Sequence, residues 1–230
     1  MTRYQIHEFM AMVSAHCSMD VFESLGLRKM IRTALEQTNA WEKKKCPLRS
    51  PLIMTLILSI CLNRMMSIYD AFKQLVGGLR FQAGKRKVPL QALTEEAVYH
   101  ARCRVGVAPV ERLFEMTAEQ VEAKAWFHGH RTFAADGFCC TLQDTEANEL
   151  FFGRPECPNG EAAFPQIKGV TLQSTETRGI VAAAFGPYEM PEHGWVNSFL
   201  DFLTPEDSLL VARGLPSFTL FTKCEEKMVH

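Results

Sequence analysis

At 230 residues, with 47% hydrophobic and 22% charged side chains, the chain has apolar material for one large domain or two small ones, which excludes disordered and collagen-like classes. A formal net charge of −1 argues against a binder that is basic throughout, yet residues 1–105 hold 16 Lys+Arg against 8 Asp+Glu, and residues 106–230 hold 9 against 18. The two parts therefore carry +8 and −9, and only the first suits an anionic partner.

The opening MTRYQIHEFM has no apolar run ending at a small-residue cleavage site, so a cytoplasmic chain with reduced cysteines is expected. From about Asp20 to Thr38, Val21, Phe22, Leu25, Met30, Ile31 and Leu35 recur at helical spacing, with Gly26 as an interruption. Ser50 and Pro51 predict the N-cap and first turn of a second helix through Leu62, whose apolar residues on every side predict burial between neighbours. Asn63 and Arg64 stop that run short of the roughly 20 apolar residues a membrane span needs, so no membrane partner is expected. A third helix, Ser67 to Leu75, is predicted to stop at Gly77 and Gly78, leaving LRFQAGKRKVP as an exposed basic connector. Thr94 then caps TEEAVYHARCRVG, with Glu95 and Glu96 at the positive end of the helix dipole and Gly106 at its close. After Pro109, VERLFEMTAEQVEAKAWF predicts one long amphipathic helix bridging the two parts.

The pattern changes beyond this point. RTFAADGF, QIKGVTLQST and RGIVAAAFG are short β-forming runs bounded by breakers, GWVNSFLDFL returns to helical spacing, and SLLVA before Gly214 and Pro216 predicts a fourth strand. Three strands, a helix and another strand match the first half of a ribonuclease H-like fold, in which three antiparallel strands precede helix-separated parallel ones. Cys139 and Cys140, close to His128 and His130, offer soft-metal ligands but lack the paired spacing of a structural zinc site.

The positive charge of the first part is clustered in Arg28, Lys29 and Arg32, in Lys43, Lys44, Lys45 and Arg49, in Arg80, Lys85, Arg86 and Lys87, and in Arg102 and Arg104. Clusters of this kind suit phosphate contacts, although solvated helix faces carry the same residues in proteins that never meet DNA. Asp136 precedes Gly137, a strong turn signal, so a turn and a functional carboxylate both fit the residues alone.

Several pieces in order resemble DDE transposases of the insertion sequence 4 family: ADGF at 135–138, LQDTEAN at 142–148, FFGRP at 151–155, AFPQ at 163–166 and LLVARG at 209–214. RSPLIMTLILSICL, VGGL at 76–79 and ARCRVG at 101–106 resemble that family's helical N-terminal domain. The resemblance implies a mixed α+β and α/β chain, with a DNA-binding helical domain at 1–107 followed by an incomplete ribonuclease H-like domain at 108–230. It makes Asp136 a catalytic metal ligand for Mg²⁺ and gives Asp144 and Asn148 a place in the pattern, where their spacing fits local turn and cap bonds. Lys43, Lys44, Lys45, Arg49, Lys85, Arg86, Lys87, Arg102, Arg104 and Arg213 become the expected contacts to double-stranded DNA at an element's terminal inverted repeats.

The departures carry equal weight. Where the family has an aspartate directly before Arg-Gly, this chain has Ala212 before Arg213 and Gly214, and the family's late glutamate helix lies beyond His230. Asp207 is no substitute, because five strand residues put it about 16 Å away. The expectation is a truncated, catalytically deficient transposase that doubtfully holds Mg²⁺, with apolar surface and the edge beside the fourth strand left uncovered. Two alternatives stand beside it. One is a non-catalytic module that binds DNA or an intact copy and represses movement; the other is a frameshift near Arg213 that restores the missing acids.

Overall fold

The computed structural model describes residues 26–44, 46–62, 66–82, 94–158 and 160–230. The chain divides into two units, Met1–Met116 and Thr117–His230, so the division falls nine residues beyond the expected one.

In the first unit Gly26 adopts φ 67°, a left-handed conformation that glycine reaches without steric cost, and α1 (Leu27–Gln37) starts behind it. Met30, Ile31, Ala34 and Leu35 form its buried stripe. Helix α2 (Ser50–Leu62) buries Ile53, Met54 and Leu56 fully, whereas Leu52, Ile57, Leu58 and Ile60 pack only partly against the same core. Of residues 50–61 only Cys61 is exposed, and the helix packs against α1, the helix of 68–82 and that of 95–105, the burial between neighbours that its uniformly apolar sequence predicts. Helix α3 (Ile68–Gln82) does not stop at Gly77 and Gly78 but runs through them. An internal glycine costs a helix only about 1 kcal/mol against alanine, and the buried Ala71, Phe72, Leu75 and Val76 anchor the turns before it.

Helix α4 (Glu95–Val105) begins as expected, with Thr94 Oγ1 accepting from the Ala97 amide at 3.2 Å, and ends at Gly106 with φ 73°. Helix α5 (Ala108–Ala118) is shorter than its periodicity predicts. Turn bonds from Gln120 N to Thr117 O and from Val121 N to Ala118 O close it. The next residues belong to the second unit: Val121 methyls lie 2.7 and 2.8 Å from where a Cβ on Gly179 would stand, and the Lys124 amide donates to Glu176. Those contacts draw the segment out of the helix.

The second unit is built on a four-stranded mixed sheet. Strands β1 (Arg131–Thr141), β4 (Gln166–Ser174), β5 (Ile180–Pro187) and β6 (Asp207–Val211) lie in the order β5-β4-β1-β6. Pairs β1–β4 and β4–β5 are antiparallel, and β1–β6 is parallel. Between β1 and β4 the chain forms α6 (Glu146–Phe152) and a small ribbon, β2 (Glu156–Cys157) with β3 (Gly160–Glu161). A parallel neighbour requires a crossover, supplied here by α7 (Glu192–Phe199) and a 3₁₀ turn at Leu200–Phe202.

Alternation decides which side of the sheet is covered. Phe133, Ala135, Val170, Leu172 and Ala182 point to one face and pack with Val196, Phe199, Leu200 and Leu203. Asp136, Ala183, Phe185 and Leu210 are exposed, and strand alternation puts them on the other face.

One helix escaped the sequence reading, α8 (Phe218–Lys227), whose cap is Ser217 Oγ accepting from Leu220 N at 3.1 Å. It brings Leu220 and Val229 onto the core and returns the chain to the sheet. His230 N donates to Asp207 O at 3.0 Å and Leu209 N donates to His230 O at 2.7 Å, the pattern of a parallel partner opposite Ser208. The edge expected to be bare is therefore paired over its first residues.

Candidate metal position and nucleic-acid interface

Asp136 lies within β1, opposite Thr171 of β4. The turn reading of Asp136-Gly137 is excluded, since pairing with β4 continues to Thr141. Nor does Asp136 end its strand; it stands just past the stretch that pairs with β6, which closes at Ala135 opposite Val211. The Ala212 amide donates to Ala135 O at 3.3 Å, which puts Ala212 directly beside Asp136 on the parallel ladder. The position expected to carry a second carboxylate is thus the neighbouring one, and it holds a methyl group.

Asp136 is exposed, and its Oδ1 accepts from the Gly137 amide at 2.9 Å. A second carboxylate, Glu192, sits over Gly137, its Oε2 only 2.6 Å from where a Cβ would be. Successive strand residues face opposite ways, so Glu192 occupies the covered face and Asp136 the open one. Among the described residues no group of three or more His, Cys, Asp or Glu side chains is placed to hold a metal ion. A two-metal centre needs several hard oxygen ligands on one side, and the donors around Asp136 do not fit one.

Asp207 stands at the far end of β6, opposite Arg131. It is fully buried and accepts from Arg131 Nε at 2.6 Å, Arg131 Nη2 at 2.7 Å, Thr204 N at 2.7 Å and Thr204 Oγ1 at 3.0 Å. The Asp207 carboxylate holds the Arg131 guanidinium above its usual range against the opposing effect of burial. This bidentate pair fixes the register that sets Ala212 beside Asp136.

Asn148 bonds locally, as its spacing predicts, whereas Asp144 pairs with an arginine ten residues on in place of a turn or cap bond. Asp144 accepts from Arg154 at 2.6 Å, Glu149 joins the same guanidinium at 3.0 Å, and Asn148 Nδ2 donates to Gln143 O. These bonds, Glu149 foremost, push the Arg154 pKa up.

Of the basic residues, Lys45, Lys85, Arg86 and Lys87 lie outside the described residues. Lys43, Lys44 and Arg49 are exposed on the loop between α1 and α2, Arg102 is half-buried on α4, and Arg213 is exposed in the second unit. Arg104 is exposed on α4, and its Nη2 also donates to Leu48 O within the loop. Ser50 is not the cap of α2 but its first residue, and its amide donates to Glu42 Oε2 at 2.9 Å. Burial would raise the Glu42 pKa, but the Ser50 amide and the nearby Arg104 charge leave it below the ordinary glutamate value. Glu42 and Leu48 were missed because a side-chain cap eight residues from its target and a backbone acceptor leave no local pattern.

The profile of the insertion element 4 transposase N-terminal family matches residues 17–115, ending where the first unit ends. InsZ of Escherichia coli (strain K12), which bears the name of a transposase, is 30% identical over 125 residues, covering 52% of this chain and 42% of InsZ. The transposase InsG for insertion sequence element IS4, from the same organism, is 30% identical over 128 residues, covering 54% of this chain and 29% of InsG. The chain thus spans less than half the length of these relatives. No solved structure matches.

Proposed function

We propose, from the match of residues 17–115 to the insertion element 4 transposase N-terminal family, that this chain is a transposition protein that binds duplex DNA through its first unit and does not cut DNA by itself. Binding is supported by the exposed Lys43, Lys44 and Arg49 on one loop of the +8 part. Each neutralised phosphate releases condensed counterions, and that release drives the association. The second unit reads as ribonuclease H-like, a reading supported by the strand order β5-β4-β1-β6 with only β6 parallel to β1.

One observation carries the catalytic half of the proposal: Ala212 occupies the ladder position beside Asp136. In the family Mg²⁺ would activate the attacking oxygen and stabilise the leaving one. A lone, exposed carboxylate held by its neighbour's amide gives such ions neither enough ligands nor a fixed geometry. A chain that binds without cutting would occupy the ends of an insertion element and compete there with an intact transposase.

Fluorescence anisotropy with a labelled random-sequence duplex tests the binding. Three loop contacts predict a log–log salt slope of about −3, and an affinity indifferent to salt would sink the interface. Incubation of a supercoiled plasmid with Mg²⁺ or Mn²⁺ tests the other half, and any metal-dependent nick lost on Asp136→Ala overturns it.

A further inference from the structure

The loop that carries the exposed cations is tied at several points. Leu48 is buried in the helical core at 5% exposure. Glu42 spans the loop to cap α2 through the Ser50 amide at 2.9 Å. The Arg49 carbonyl accepts from the amides of Leu52 and Ile53, joining the loop end to the first turn of α2. Cys46 Sγ donates to Leu48 O at 3.3 Å, and the same carbonyl accepts from Arg104 Nη2, which reaches it from α4, 56 residues along the chain. Between these ties Lys43, Lys44 and Arg49 remain exposed.

Charge follows the same plan. Between Asn39 and Arg49 the sequence contains one acid, Glu42. Its carboxylate is taken up by the Ser50 amide and lies close to the Arg104 cation. The acid beside Lys43 stays ionised, but its carboxylate is engaged by the Ser50 amide.

We infer that Arg104 is a positioning residue, which holds the described loop residues 42–44 and 46–50 as a preset phosphate-binding loop by gripping the Leu48 carbonyl, and that the phosphate contacts are made by Lys43, Lys44 and Arg49. This rests on the DNA-binding reading and goes further by separating the residues that touch phosphate from the one that arranges them. A loop held in its bound shape loses less freedom on association, so removing the strut weakens every contact on the loop together.

A double-mutant cycle on the full chain with the labelled duplex separates the two roles. For a strut, Lys43→Ala lowers affinity several-fold in the wild-type background and hardly at all in Arg104→Ala. The salt slope of Arg104→Ala then falls by more than the roughly 0.9 that one lost phosphate contact explains. Arg104→Lys, whose ammonium can still reach the carbonyl, restores both. Additive losses and a slope change near 0.9 would make Arg104 an ordinary phosphate contact and overturn the inference. A second readout needs no DNA. In a Trp126→Phe/Trp195→Phe background Trp41, beside Glu42, is the remaining tryptophan, and Arg104→Ala should raise its quenching by acrylamide while the far-ultraviolet circular dichroism stays unchanged. Unchanged quenching refutes the strut. If the wild-type chain binds no duplex, the interface reading falls, and the Trp41 measurement alone decides the role of Arg104 in the loop.

Discussion

Replacing Asp207 by alanine should destabilise the second unit by about 3 kcal/mol, the low end of the 3–5 kcal/mol expected when one partner of a buried ion pair is removed. The side chain is fully buried, and four donor contacts converge on it from Arg131 and Thr204. The low end applies because the Arg131 side chain is 34% exposed and can recover part of its hydration, whereas Thr204 N is left facing a cavity. For a unit of this size that loss corresponds to a drop of about 10 °C or more in Tm. Urea unfolding followed by circular dichroism, in a cycle with Arg131→Ala, gives the coupling directly. The two replacements should be unequal, with Arg131→Ala the harsher because it leaves the fully buried carboxylate without its cation, and the double variant far better than the sum of the singles. Hydrogen exchange should also quicken at Leu209 and Ala212, whose amides depend on the register this pair sets. A coupling under about 1 kcal/mol would show that Asp207 is no more than a solvated surface partner and would refute the reasoning.

The remaining expectations concern the two candidate sites. Ala212→Asp sets a second carboxylate beside Asp136 on adjacent strands about 4.8 Å apart, so weak Mn²⁺ binding should appear in paramagnetic resonance titrations and vanish again with Asp136→Ala; binding that survives Asp136→Ala places the ion elsewhere. The Glu42 carboxyl is held below its ordinary range in the folded chain, so its cap on α2 contributes fully above the unfolded glutamate value near 4.3 and is lost as pH falls through the folded value. Trp41 emission should follow that loss on acidification, and Glu42→Gln should flatten the response.

Where local chemistry decides an element, the sequence reveals it. Thr94 with Glu95 and Glu96 opens a helix as expected, and the β-forming runs RTFAADGF, QIKGVTLQST and RGIVAAAFG, bounded by breakers, yield three strands of one sheet. Where distant residues decide, it does not. Periodicity carries α5 past Ala118, but packing of Val121 against Gly179 ends it. Gly77 and Gly78 read as a stop, yet anchored turns carry α3 across them. The candidate sites divide in the same way. Asp136 and Ala212 stand out only through the resemblance to the family, and the parallel register of β1 with β6 then brings the two positions side by side. Arg104 looks like any outward arginine on a basic helix until its acceptor, a carbonyl 56 residues away, is seen.

The strand order of the second unit also sets a sequence of events in time. β4 and β5 are joined by a short turn and can meet early, whereas β6 reaches β1 only after a loop closure of 76 residues between Arg131 and Asp207. The parallel seam should therefore be the last to form and the first to part, so that Asp207→Ala speeds unfolding while leaving refolding almost unchanged, a split that stopped-flow chevrons resolve. The placing of Ala212 beside Asp136 thus depends on the seam expected to assemble latest.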